Sequence, residues 1–166
     1  IMPSKAKGVA VRMLQKINYA QPIFLPKDRD VAEAGTGLHA VLATQLLQKH
    51  VSAEVHKLIS SEILSGCSLD VLHIDTVLAS GEAFKEWLSR QWPGAKLYIE
   101  YPISMVNEKG QQLNGSIDLL VETSDGWVII DHKSTTVTDN SLPNVVAQYG
   151  AQLSAYRNAL EVVTDK

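Results

Sequence analysis

The sequence predicts an α+β domain: a run of helices, then a three-stranded meander, then a closing helix. Three observations predict it. Apolar residues recur at i, i+3, i+4 spacing from Leu38 to the neighbourhood of Trp92. At residue 96 the pattern changes to stretches rich in β-branched and aromatic residues, separated by short turns. From Val145 onward the helical spacing returns. Helices on both sides of such a meander imply helices packed on the sheet.

The elements follow in order. Leu38, Val41, Leu42, Leu46 and Leu47 make 37–49 a helix after Gly35-Thr36-Gly37. Ser52 caps a second helix whose inner stripe is Val55, Leu58, Ile59 and Ile63. Residues 69–79 and 81–92 read as two helices parted by Ser80-Gly81 and stopped by Pro93-Gly94. KLYIEYPISMV is a strand from 96 to about 106, and Glu108-Lys109-Gly110 turns the chain into a second strand over 116–122. Asp125-Gly126 turns it again into a third strand over 127–134. Ser141 and Pro143 open the last helix, with Val145, Val146, Tyr149, Leu153, Tyr156 and Leu160 as its stripe.

Composition narrows the function. The chain has 166 residues, a net charge of −3 and 20% charged residues, so contact with nucleic acid requires a local patch rather than a basic surface. No apolar run approaches the roughly 20 residues of a membrane helix. A single Cys67 excludes an internal disulfide, a four-cysteine zinc site and a four-cysteine iron–sulfur cluster. There is no phosphate-binding G-x-x-x-x-G-K-[ST] loop. The chain opens on Ile1, and Lys5–Lys7 leads into no apolar stretch of signal-peptide type, so residues 1–30 read as a segment continuing from an upstream region.

The chemistry lies on the second hairpin. With Asp125-Gly126 as a two-residue turn, Asp118 pairs with Lys133 and Leu120 with Asp131, so Asp118, Asp131 and Lys133 share one face. The reverse face carries Ile117, Leu119, Val121, Val128 and Ile130. Two carboxylates one strand apart repel unless a cation lies between them, and hard oxygen ligands suit Mg²⁺ or Mn²⁺. A neighbouring ammonium can hold an attacking water or meet charge developing on phosphorus, so the set reads as metal-assisted phosphodiester hydrolysis. The competing reading is a surface Asp–Lys pair of no catalytic consequence. His50, His56 and His73 read as structural; Trp87, Trp92 and Trp127 read as packing residues and Cys67 as inert.

Gly115-Ser116-Ile117-Asp118 followed by Asp131-His132-Lys133 resembles the D…(D/E)-x-K core of the PD-(D/E)XK nuclease superfamily. Gly37-Leu38-His39 on the first helix is similar to the histidine motif of the RecB/AddA-type nuclease domain. Gln152-Leu153-Ser154-Ala155-Tyr156 on the last resembles that group's Q-x-x-x-Y motif. The likeness covers about residues 35–162 and implies a restriction-endonuclease-like αβββα core, a central mixed or antiparallel sheet flanked by helices plus an N-terminal helical insertion, with 31–166 forming one nuclease domain. By resemblance, His39, Asp118 and Asp131 are metal ligands, with the His132 backbone carbonyl a fourth, and Lys133 is the catalytic lysine. Gln152 and Tyr156 would position DNA or that lysine, and Glu100 in YIEYP matches a frequent acidic position of second rank. Two departures stand out: Asp131 replaces the commoner Glu, and His132 fills a place often held by Tyr.

The resemblance further implies a Mg²⁺-dependent deoxyribonuclease of exonuclease type, with Mn²⁺ as a substitute and no iron–sulfur cluster. Its substrate would be DNA, single-stranded, fed by a superfamily-1 helicase region of the same chain or complex. It would work in recombinational repair in the bacterial cytoplasm, without a membrane. Two alternatives stay open: a catalytically silent interaction domain on a nuclease fold, and a stand-alone exonuclease of phage or CRISPR-associated type.

Overall fold

The computed structural model describes residues 13–25, 30–48, 50–106, 110, 112–134, 138 and 140–164. Among these, helices α1 (Val31–Leu47), α2 (Ala53–Gly66) and α3 (Ile74–Gln91) precede strands β1 (Lys96–Val106), β2 (Gln112–Thr123) and β3 (Gly126–Ile130), and α4 (Leu142–Thr164) closes the chain. The α+β order is the expected one. The turn expected at Glu108-Lys109 lies outside the described residues. The chain divides into two compact units, one holding the sheet and α4, the other holding α1–α3 with residues 132–134.

In the helical unit, two helices differ from expectation, and each runs through a glycine read as a break. Helix α1 begins six residues earlier than Gly37, because Asp30 caps it: its carboxylate accepts the Ala32 and Glu33 amides at 2.7 and 3.2 Å. Gly35 and Gly37 lie inside the helix. A Cβ on Gly37 would stand 3.0 Å from Cys67 Cβ and Leu69 Cδ1, so the glycine marks a close approach of α1 to the end of α2. Likewise, Ser80-Gly81 does not split α3. Gly81 is buried in mid-helix, where a Cβ would sit 2.7 Å from Gln45 Cδ, and Gln45 Nε2 donates to the Leu78 carbonyl at 3.0 Å. Helix α2 ends with Ser68 in the left-handed region (φ 55°). The Leu69 amide reaches the Leu64 carbonyl at 2.8 Å and the Ser68 amide that of Ser65 at 3.0 Å. Leu64 and Leu69 then meet in a core with Ala34, Val41 and Val77. Over α3, Tyr19 stacks on Trp87 and Ser80 Oγ donates to the Gln21 carbonyl, tying residues 17–25 to the helices.

In the sheet unit the strand order is β1-β2-β3, antiparallel throughout. The hairpin register departs from expectation. Thr123 pairs with Gly126, so the turn residues are Ser124 and Asp125, and Gly126, at φ 144°, opens β3. Thr123 Oγ1 fixes this turn: it donates to the Gly126 carbonyl at 2.9 Å and accepts the Asp125 amide at 3.2 Å. The last rung is Leu119↔Ile130, and β3 stops there. Lys133 is therefore not paired across from Asp118; Asp131 is the residue that stands one position past that rung.

Faces also differ from expectation. Helix α4 packs Tyr156, Ala159 and Leu160 on a core formed by Ile103, Ile117 and Leu120, with Tyr98, Tyr101 and Ile129 around it. Strict alternation would send Ile117 and Leu120 to opposite sides. The two join one core, and Tyr98 and Tyr101, three residues apart on β1, bring their rings to 5.8 Å. Both strands thus invert their facing between these pairs, at the rung of Glu100 and Asp118. Ile117 leaves the expected apolar face, while Leu119 and Val121 are fully buried apart from this core.

Candidate metal centre and its supports

Glu100 and Asp118 occupy the rung where β1–β2 pairing lapses. Ile99↔Leu119 and Tyr101↔Ile117 are paired on either side, and the register continues across the gap. Glu100 itself has φ 49°, a conformation costing about 1–3 kcal/mol for a side-chain-bearing residue. That twist inverts the strand, and it sets the Glu100 and Asp118 carboxylates opposite one another with oxygens within 4.8 Å. Ser116 Oγ donates to Glu100 Oε2 at 3.0 Å, fixing that side chain from the neighbouring strand. Two carboxylates so placed repel, and a divalent cation with its waters between them removes the repulsion. The donor chemistry of this pair fits a hard ion such as Mg²⁺ or Mn²⁺.

Asp131, past the end of β3, is held from α4. Gln152 Nε2 donates to Asp131 Oδ1 at 3.3 Å and to the Tyr156 hydroxyl oxygen at 3.2 Å. One amide nitrogen carries two hydrogens, so both bonds coexist. Gln152 and Tyr156 are four residues apart on one helical face, and Tyr156 is 4% exposed. Its ring anchors in the α4 core while its hydroxyl orients the glutamine. The Q-x-x-x-Y pattern is thus a relay from a buried tyrosine to a carboxylate.

The helical unit holds the remaining sequence-predicted residues. His39 Nε2 lies 3.0 Å from the His132 carbonyl oxygen. A carbonyl only accepts, so Nε2 carries the proton of this bond. The same 3.0 Å equals the spacing of two adjacent octahedral ligands each about 2.1 Å from one ion, so the pair also suits joint coordination once Nε2 is deprotonated. The His132 ring packs edge-on against Phe84, with centroids 5.1 Å apart, and edge-on against the His39 ring at 5.7 Å, while its backbone carbonyl is what meets His39 Nε2. Lys133 follows, exposed, and Ser134 Oγ donates to the Val31 carbonyl at 3.1 Å.

Sequence reasoning places Glu100 only in the second rank and misses Ser116, Ser134 and Gly35. A signal for Glu100 exists in the apolar crowding of β2, where Ile117, Leu119, Leu120 and Val121 cannot all belong to one alternating face. Nothing in the residue types announces the positive φ of Glu100.

A family model, the PD-(D/E)XK nuclease superfamily, matches residues 13–166. Among curated proteins, an ATP-dependent helicase/nuclease subunit from Alkaliphilus oremlandii (strain OhILAs) is 29% identical over 153 residues, covering 81% of this chain. Its namesake from Oceanobacillus iheyensis is 29% identical over 170 residues, 86% of the chain, and that from Thermoanaerobacter sp. (strain X514) 28% over 165 residues, 87% of the chain. The match spans 13% of the length of each of these relatives. No helix among the described residues is long and apolar enough to cross a membrane. With four helices and a three-stranded antiparallel meander among the described residues, and a family match running almost its whole length, the chain belongs to the PD-(D/E)XK nuclease superfamily.

Proposed function

We propose that the chain is the metal-dependent nuclease module of an ATP-dependent helicase–nuclease, cutting single-stranded DNA in bacterial recombinational repair. The observation that carries the reading is the lapsed rung at Glu100 and Asp118: a strained backbone brings two like charges together, an arrangement that a cation between them stabilises. His39, Asp118, Asp131 and the His132 carbonyl would hold Mg²⁺, with Glu100 as a further carboxylate. An ion held there would supply Lewis-acid chemistry, polarising the scissile phosphate and lowering the pKa of a coordinated water. Lys133 holds that water or offsets negative charge building on the phosphate oxygens. Gln152, backed by Tyr156, keeps the Asp131 carboxylate in one orientation. The relatives' names support a helicase in the same polypeptide, since this chain corresponds to a small part of each. A tethered module of net charge −3 leaves nonspecific DNA affinity to that larger assembly.

The test is cleavage of a labelled single-stranded DNA with Mg²⁺, with Mn²⁺ and with EDTA, beside Asp118→Ala and Lys133→Ala. Metal-dependent cutting abolished in both variants is the expected result. Absence of cutting together with absence of Mn²⁺ binding in calorimetry overturns it in favour of a nonenzymatic nuclease-fold domain.

A further inference from the structure

We propose that Ser134, seated on Gly35, is the positioning residue that fixes the backbone of Lys133; the inference rests on Lys133 serving the nuclease reaction. Lys133 lies beyond the last rung of β3, so the ladder does not orient its peptide units. Its two neighbours are instead tied to a single stripe of α1. Val31, Gly35 and His39 recur at i, i+4 and i+8, one above another on that helix. The His132 carbonyl meets His39 Nε2 at 3.0 Å and Ser134 Oγ donates to the Val31 carbonyl at 3.1 Å, so the chain runs along the stripe with Lys133 between the two ties. The Val31 carbonyl has a second lone pair, which lets it take the serine hydroxyl without giving up its place in the helix.

Gly35 makes the seat. A Cβ there would stand 2.7 Å from Ser134 Oγ and 3.8 Å from Ser134 Cβ, so any side chain at position 35 displaces the serine hydroxyl from this seat. Glycine in a helix interior is less favourable than alanine, and α1 has one where Ser134 lies closest. Ser134 touches neither a phosphate nor a metal donor in this arrangement; it acts through the residue before it.

The experiment compares wild type with Ser134→Ala, Ser134→Thr and Gly35→Ala in two assays. The first is the rate of tryptic cleavage after Lys133 in the folded chain, referred to the rates after Lys57 and Arg90. Gly35→Ala leaves the scissile bond chemically unchanged and tests the seat from a distance. The expected result is cleavage after Lys133 about tenfold faster in Gly35→Ala and Ser134→Ala, with the reference sites unmoved and Ser134→Thr near wild type. The second assay is steady-state DNA cleavage, where kcat falls about tenfold in the same two variants, KM holds, and Ser134→Thr restores kcat. Equal acceleration at all three tryptic sites marks global loosening and overturns the inference, as does unchanged cleavage after Lys133. Wild-type kcat in Ser134→Ala beside an inactive Lys133→Ala overturns it while leaving the nuclease reading intact. An active Lys133→Ala overturns the nuclease role instead.

Discussion

Gln152 spans from α4 to the Asp131 carboxylate, and its amide is held at the other side by the Tyr156 hydroxyl. Removing an outer support of a ligating carboxylate lowers metal affinity or activity by roughly 10–100-fold in comparable sites. Gln152→Ala is expected to lose cleavage within that range and to need more Mn²⁺ for half-maximal rate. Tyr156→Phe keeps the buried ring and loses only the acceptor, so its deficit is smaller, near the bottom of the range. Cleavage rates across a Mn²⁺ titration check both, and equal deficits in the two variants would sink the relay.

Glu100→Gln removes one of two facing negative charges without changing shape. In EDTA the variant is expected to be more stable than wild type by about 0.5 kcal/mol, since the repulsion is partly screened by water. With Mn²⁺ the order reverses, because the ion loses a carboxylate. Differential scanning in the two buffers reads both effects. An unchanged Mn²⁺ increment in melting temperature would remove Glu100 from the metal centre.

Tyr98 donates its hydroxyl to Glu122 Oε2 at 2.7 Å, and this bond first, then burial and the glutamate charge, raises its pKa above the ordinary 10.0. A raised phenol pKa means that the folded state favours the protonated form. The associated stability is complete below pH 10 and drains away as pH rises through the folded-state value. Tyr98→Phe therefore lowers the urea midpoint at pH 8 and narrows its gap to wild type above pH 10. A gap that stays constant through pH 10 would show that folding does not favour the protonated phenol.

Gly81→Ala forces Gln45 out of its place against α3. The clash is expected to outweigh the gain in helix propensity and to cost about 1–2 kcal/mol net. Gln45→Ala in the same chain vacates the space, so the double variant should be more stable than Gly81→Ala alone, a coupling that urea denaturation of the four proteins measures.

These glycines also explain what the sequence could and could not disclose. Strand β1 was legible to the residue, because its aromatic and β-branched run has no competing period. The sequence pattern starts α1 late, at Gly37, and divides α3 at Ser80-Gly81, since a glycine that breaks a helix and one that admits a neighbour look alike in one dimension. The hairpin register was off by two, because Asp125-Gly126 is the stronger turn signal by itself while Thr123 closes the loop one residue earlier. A slip of two keeps parity, so Asp118 and Asp131 still fall at neighbouring positions. The apolar crowding of β2 conflicts with strict alternation, but the place of the inversion is not legible, because a positive φ at Glu100 leaves no trace in composition.

That inversion governs what may be exchanged in this hairpin. β1 and β2 amount to two short ladders of opposite parity, joined at a single rung. A regular donor strand grafted across the joint would turn either the Tyr98 set or the Ile103 set away from α4. Recombination within the hairpin therefore has one safe boundary, the Glu100–Asp118 rung itself, provided that both of its residues travel together.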